Sequence, residues 1–200
     1  MTKSIFSVFY ISEQTTNKEN EMEFQELIEE FMKHRCLLIR EEITKSKVDI
    51  VATAFSLLDF KSAKPIWVHI DSEGGDVNAA RNLGDAFQMA RSPVYGLVTG
   101  IAASSAFVLL QMCDRRISYP NARLLFHGIS TRVGIDDPDF KFRVRNAKLL
   151  HKKNLEELAV RSGQPMSKIR RWSRMERMFS AQEALELGFL DAIEQPRKKR

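Results

Sequence analysis

The 200-residue sequence predicts an α/β fold, and three observations carry that prediction. Segments of strand composition alternate with segments of helical periodicity along the chain. Two strand-to-helix junctions contain small residues, at Gly74-Gly75 and from Gly100 to Phe107. Hydrophobic residues make up 44% of the chain and charged residues 28%, enough apolar material for the core of one ordinary domain. That composition excludes a disordered chain, a collagen and a mini-protein scaffold.

The elements follow in order. Glu21 to Lys33 carries Phe24, Leu27, Ile28 and Phe31 at helical spacing. Cys36 to Arg40 is a short apolar strand, and Val48 to Phe60 a helix with Val51, Ala54, Phe55 and Leu58 on one stripe. Pro65 opens a strand, Ile66 to Ile70, that ends in a polar turn from Asp71 to Asp76. A helix from about Val77 to Arg91 follows. Pro93 then starts a strand, Val94 to Thr99, which Gly100 is expected to break before a buried helix, Ala102 to Met112. Ile117 to Tyr119 and Arg123 to His127 read as two short strands paired around Pro120-Asn121. Asp139 to Ser162 is the longest helix, with Gly163 as its C-cap. Ser180-Ala181-Gln182-Glu183 is a capping box that opens a last helix, ended by Gly188.

Charge is unevenly placed. The balance is 31 Lys+Arg against 26 Asp+Glu, net +5. Ser12 to Glu30 holds seven Glu and one Lys, whereas Lys141 to Arg177 holds twelve Lys+Arg and three Glu. Each run reads as a solvated helix face or as a face used between copies of the chain. A basic surplus makes nucleic acid a partner to consider, but no aromatic-basic motif accompanies it, and nucleic-acid binding is set aside. Two cysteines, Cys36 and Cys113, suggest no disulfide framework. Met1 to Tyr10 lacks a secretory h-region, and Leu97 to Cys113 is too interrupted by Thr99, Ser104 and Ser105 to span a membrane. The expectation is a reduced, cytoplasmic protein without a membrane partner.

Two residue types could carry chemistry. A serine at a helix N-terminus, as Ser104 or Ser105 would be, lies beside free backbone N–H groups that can stabilise an oxyanion. Serine is equally a favoured helix cap. His127 ends an apolar strand, where a general base would be well placed, although a strand-end histidine is also an ordinary structural residue. No Cys/His or carboxylate cluster has metal-ligand spacing, so no metal is expected.

The order of these pieces resembles the proteolytic subunit of the Clp protease, within the crotonase-like superfamily. Ser72-Glu73-Gly74-Gly75 matches the family's strand-end S-P-G-G, and Gly100, Ala102, Ala103 and Ser104 match its G-x-A-A-S. Pro120, Asn121 and His127 match the turn and the strand ending in the catalytic histidine. Gly163-Gln164-Pro165 matches the helix break, and Ser180 to Ala184 with Gly188 to Asp191 match the closing motif. The likeness covers about residues 31–193. It implies repeated β-β-α units in one domain over 1–200, with a divergent segment 1–20, a protruding handle helix at 139–162 and a basic tail at 197–200.

The resemblance implies serine endopeptidase activity on polypeptides through an acyl-enzyme, with Ser104 as nucleophile and His127 as general base, a reaction that needs no metal or organic cofactor. The position of the family's acid is Glu176, forty-nine residues after His127. The backbone N–H groups of Gly75 and Ser105 would form the oxyanion hole. It also implies self-assembly into rings, seven-membered and stacked, fed by an AAA+ unfoldase.

Several positions depart from the pattern. Glu73 replaces a proline, and Asp76 adds a second carboxylate near the expected oxyanion site, where both would oppose negative charge unless turned to solvent. Thr131 to Asp139 keeps only Gly134 of a glycine-rich segment, and Met175 stands where the family has arginine. These changes suggest a divergent paralogue, and they keep open a catalytically weak subunit that builds or regulates a mixed ring.

Overall fold

The computed structural model describes residues 27–129 and 137–195. Seven strands form one sheet: β1 (Cys36–Ile43), β2 (Ile66–Gly75), β3 (Val94–Ala103), β4 (Arg115–Ser118), β5 (Arg123–Phe126), β6 (Arg177–Ser180) and β7 (Ala192–Ile193). Six helices lie between them: α1 (Lys45–Lys61), α2 (Val77–Met89), α3 (Ser105–Gln111), α4 (Phe140–Ser162), α5 (Met166–Met175) and α6 (Ala181–Glu186). Residues 27–33 are also helical, the described end of the helix expected from Glu21. The main path β1-β2-β3-β4-β7 is parallel throughout, which is the α/β architecture the alternation predicts.

Beyond Val98 the sheet divides. β4 pairs with the first half of β3 at Tyr95 to Val98, and β5 with its second half at Ile101 to Ala103. β6 then adds antiparallel to β5. The two short strands expected to pair with each other around Pro120-Asn121 do not do so. Both run parallel to β3, and the turn steps the chain forward to the next level rather than back.

Two other boundaries differ from the pattern. The polar stretch Asp71 to Gly75 belongs to β2, because its backbone pairs with β1 through Gly74 and Gly75 and with β3 through Ser72. β3 likewise runs through Gly100 to Ala103. A Cβ at Gly100 would collide with the Asp71 carboxylate, which accepts the N–H of Ile101 at 3.0 Å. Glycine there admits a side-chain bridge; it does not end the strand. α5 was not apparent from the sequence, where four of its ten residues are arginine or lysine.

The core lies between α1–α3 and the sheet. Every residue of α3 is buried, among them Phe107, Leu109 and Leu110. A second cluster joins Phe107 to Phe126, Phe179 and Phe189 at ring separations of 5.6, 6.5 and 5.2 Å, with Trp172 5.5 Å from Phe179. Such pairs contribute about 0.5–1.5 kcal/mol each beyond their burial. They tie α3, β5, α5 and β6 into one block.

α4 buries only Asn154, Leu155 and Leu158, all in its second half, so its first half projects from the body as expected. Arg81 of α2 anchors the second half, donating to both Glu157 oxygens at 2.7 Å and to Asn154 at 2.6 Å. Gly163, at φ 68, ends it in the left-handed conformation that a C-cap glycine adopts.

Candidate active site

Four chain segments converge where β2, β3 and β5 end and β6 begins. Ser104 is the single residue between β3 and α3, and its backbone is at φ 54, ψ −118. A non-glycine residue there costs about 1–3 kcal/mol and persists only where its surroundings hold it. They do: its N–H donates to Leu125 O at 3.0 Å, and its carbonyl accepts Val108 N–H at 3.2 Å. It occupies the N-cap position of α3, yet its hydroxyl makes no capping bond. The ordinary explanation of a serine at a helix start therefore does not apply to Ser104. Ser105, the rival nucleophile, is buried to 1% exposure, and among the described residues its Oγ has no hydrogen-bond partner.

The end of β2 closes on this turn. Gly74 has φ 94, and a Cβ on it would lie 2.6 Å from Ala103 O and 2.9 Å from both Ser104 Cβ and Ser105 N. Only glycine lets the two backbones meet. Ser72 Oγ fixes the approach by accepting Gly74 N–H at 3.1 Å and donating to the Glu41 carbonyl. Gly75, the glycine expected in the oxyanion hole, lies against Ile43, and its own Cβ would strike that carbonyl. Of the two, Gly74 is the one packed on Ser104 and Ser105, a contact that spacing alone did not reveal.

The two carboxylates feared near the oxyanion site are otherwise engaged. Asp76 caps α2, accepting the N–H groups of Asn78 and Ala79 at 2.8 and 3.0 Å. Glu73 is exposed.

His127 follows β5 and is half-buried. Its Nδ1 lies 2.6 Å from Gly128 O. A carbonyl can only accept, so Nδ1 carries the proton and Nε2 is the basic nitrogen. The Gly128 peptide is itself held, its N–H donating to Ser173 O of α5 at 2.7 Å. A Cβ at Gly128 would sit 3.0 Å from that oxygen and 3.3 Å from His151 Cε1.

Glu176 is the C-cap of α5, at φ 50, ψ 76, and exposed. The β5–β6 register pairs Phe126 with Arg177, so His127 and Glu176 are the next residues on the two adjoining strand ends. Among the described residues no hydrogen bond or ion pair joins their side chains. Neighbouring Arg177 packs over the rings of Trp172 and Phe179 at 5.8 and 5.2 Å and donates to Glu183 at 3.2 Å.

Other residues able to titrate or attack lie apart from this turn or outside the described residues. Asp191 bonds Arg116 through both carboxylate oxygens, at 2.5 and 3.0 Å, a structural pair. Asp136, Gly134 and the rest of 130–136 lie outside the described residues. His34 pairs with Glu30 at 3.3 Å, and His69 lies in β2 against Phe31. Cys36 and Cys113 are free thiols, and burial first, with the Asp114 charge second, pushes Cys113 up to about 12, too high for a nucleophile. Among the described residues no group of three or more His, Cys, Asp or Glu could hold a metal ion. None of the described helices is long and apolar enough to cross a membrane.

Relatives of known kind match most of this chain's length. A protein named ATP-dependent Clp protease proteolytic subunit 2 from Treponema denticola is 28% identical over 201 residues, covering 94% of this chain and 96% of the relative. A protein of the same name from Thermobifida fusca is 26% identical, covering 85% of each chain. A proteolytic subunit 1 from Frankia casuarinae is 28% identical, covering 81% and 78%. The family model described as Clp protease matches residues 18–197, and the chain belongs to that family.

Proposed function

We propose that this chain is a serine endopeptidase subunit of a self-compartmentalising Clp-type protease, one domain over its 200 residues. The supporting observation is Ser104. It is held in a rarely populated backbone conformation at the junction of two strands and a helix, with its hydroxyl unused for capping and His127 on the adjoining strand end. Backbone strain of this kind, at a strand-to-helix turn, presents a nucleophile clear of its helix.

In this reading His127 Nε2 takes the proton of Ser104 Oγ as that oxygen bonds to the carbonyl carbon of a peptide. The carbonyl oxygen becomes an oxyanion, stabilised by the N–H groups of Gly75 and Ser105. The proton passes from His127 to the departing amine as the C–N bond breaks, leaving an acyl-enzyme. Water, deprotonated by the same nitrogen, releases the acid and restores Ser104. Glu176 is the carboxylate that stabilises the imidazolium, while the Gly128 carbonyl holds Nδ1–H. The partners proposed are unfolded polypeptide as substrate, copies of the chain in a ring and an AAA+ unfoldase; the location proposed is the cytoplasm.

Peptide hydrolysis by the assembled protein tests the proposal. Ser104→Ala and His127→Ala should each lower kcat by about a thousandfold or more with the assembled mass unchanged. Equal turnover in either variant would refute it. Assembled wild-type protein with no turnover would favour the catalytically weak, ring-building subunit instead.

A further inference from the structure

The chain has four histidines, and one that the reaction above leaves unused stands beside the residue that holds His127. His151 of α4 belongs to the stripe 151, 154, 155 and 158, the spacing of one helix face. Asn154, Leu155 and Leu158 are buried and seat α4 on the body, and His151 is half-buried one turn before them. Its Cε1 is 3.3 Å and its Nδ1 3.9 Å from where a Cβ on Gly128 would lie. A side chain at 128 would crowd the ring, so glycine is what lets imidazole and backbone approach. Among the described residues neither nitrogen of His151 joins a hydrogen bond or an ion pair. Burial pushes the His151 imidazole below its ordinary range, which leaves the ring mostly uncharged at neutral pH. What it brings to Gly128 is a flat, neutral surface.

Gly128 carries the carbonyl that receives His127 Nδ1–H at 2.6 Å. A neutral imidazole can hold its proton on either nitrogen, and this bond decides for Nδ1. The choice therefore depends on where the carbonyl points. The Gly128 N–H, bonded to Ser173 O at 2.7 Å, does not settle that direction. N–H and carbonyl belong to different planar peptide units, which turn independently about the Gly128 Cα. Glycine turns more freely than any other residue, and Gly128 lies past the end of β5, in neither strand nor helix. Its backbone is instead held by two helices. α5 takes the N–H through Ser173, and α4 sets the His151 ring against the Cα.

We propose that His151 is a positioning residue for His127: its ring backs the Gly128 backbone, keeping the carbonyl on Nδ1–H and Nε2 free to act as base. This role rests on His127 being the general base, and it extends that reading to α4. Contact through the ring, rather than through a proton or a charge, is what His151 supplies.

Nitrogen NMR of the full-length protein with isotope-labelled histidines tests it, at about pH 8.5, where imidazoles are neutral. The His127 signals are those lost in His127→Asn. In the native protein they should show Nδ1 alone protonated. In His151→Ala, a change that a helix tolerates well, they should show both tautomers. Peptide hydrolysis by that variant should have kcat at least about tenfold lower with KM little changed. His151→Phe returns a flat, uncharged ring to the same place and should restore the single tautomer and most of kcat. A single Nδ1–H tautomer kept in His151→Ala, whatever its turnover, would overturn the proposal. So would a mixture of tautomers that His151→Phe leaves uncorrected. Native protein that shows the tautomer change on substitution but hydrolyses no peptide would leave the positioning role standing and tell against the catalytic reading alone.

Discussion

Two residues with unusual backbone angles mark the proposed site more sharply than their chemistry does. Ser104 and Glu176 have φ of 54 and 50; the first stands between β3 and α3, the second between α5 and β6. Only Arg35 and Glu41 join them as non-glycine residues of positive φ among those described. Arg35 is accounted for by its guanidinium, which donates to the carbonyls of Leu58, Ser62, Lys64 and Pro65 and so ties α1 to the start of β2. Glu41 is accounted for by the register shift in β1 that its carbonyl's bond to Ser72 accompanies. Glu176 ends α5 as its left-handed C-cap, and among the described residues its carboxylate joins no hydrogen bond or ion pair. If it stabilises the imidazolium of His127, Glu176→Gln should lower kcat at least about tenfold with KM little changed, because charge is lost only where the transition state needs it. Unchanged kcat would remove Glu176 from the site and leave the Gly128 carbonyl as the group that orients His127.

The elements show how far local sequence decides structure. Periodicity located α1, α2 and α4 to within a few residues, and the capping box at Ser180 forms as expected. Periodicity failed where pairing is decided by distant residues. Asp71 to Gly75 reads as a turn in isolation, but neighbours on both sides draw it into the sheet. β4 and β5 share one edge of β3, and nothing local encodes that division. The serine and the histidine were legible through motif order; the register that brings β3, β5 and β6 to one level was not.

Arg116 and Asp191 join β4 to the chain's end. Arg116 also donates to Gln111 and to the Gly188 carbonyl at 2.9 and 2.8 Å, so one guanidinium links α3, β4 and the turn after α6. Burial pushes the Asp191 carboxyl up, but the hydrogen bonds and charge of Arg116 outweigh it and hold it below the ordinary value of 3.8. A carboxyl depressed by folding adds stability that is complete above its unfolded value and lost as pH falls through the folded one. The stability difference between wild type and Asp191→Asn in urea should therefore narrow from pH 5 to about pH 3. A difference unchanged over that range would mean that the pair adds no charge-dependent stability.

At the scale of the whole molecule, the net charge of +5 is unevenly placed along the sequence, acidic from Ser12 to Glu30 and basic from Lys141 to Arg177. The basic excess falls on α4 and α5, and α4 projects its first half with Phe142, Leu149 and several lysines exposed. Membership of the Clp protease family agrees with the proposal that this helix contacts a neighbouring copy. The same membership leaves the chemistry to this chain's own residues, since the relatives are 26–28% identical and Glu176, Glu73 and Met175 depart from the pattern. The most direct measurement is labelling of the assembled protein, sized by light scattering, with a fluorophosphonate that phosphonylates activated serines. The account predicts a single adduct on Ser104 by peptide mass, lost in Ser104→Ala and in His127→Ala without change in assembled mass. An assembled protein that takes no label, or takes it on Ser105 or another serine, would contradict it.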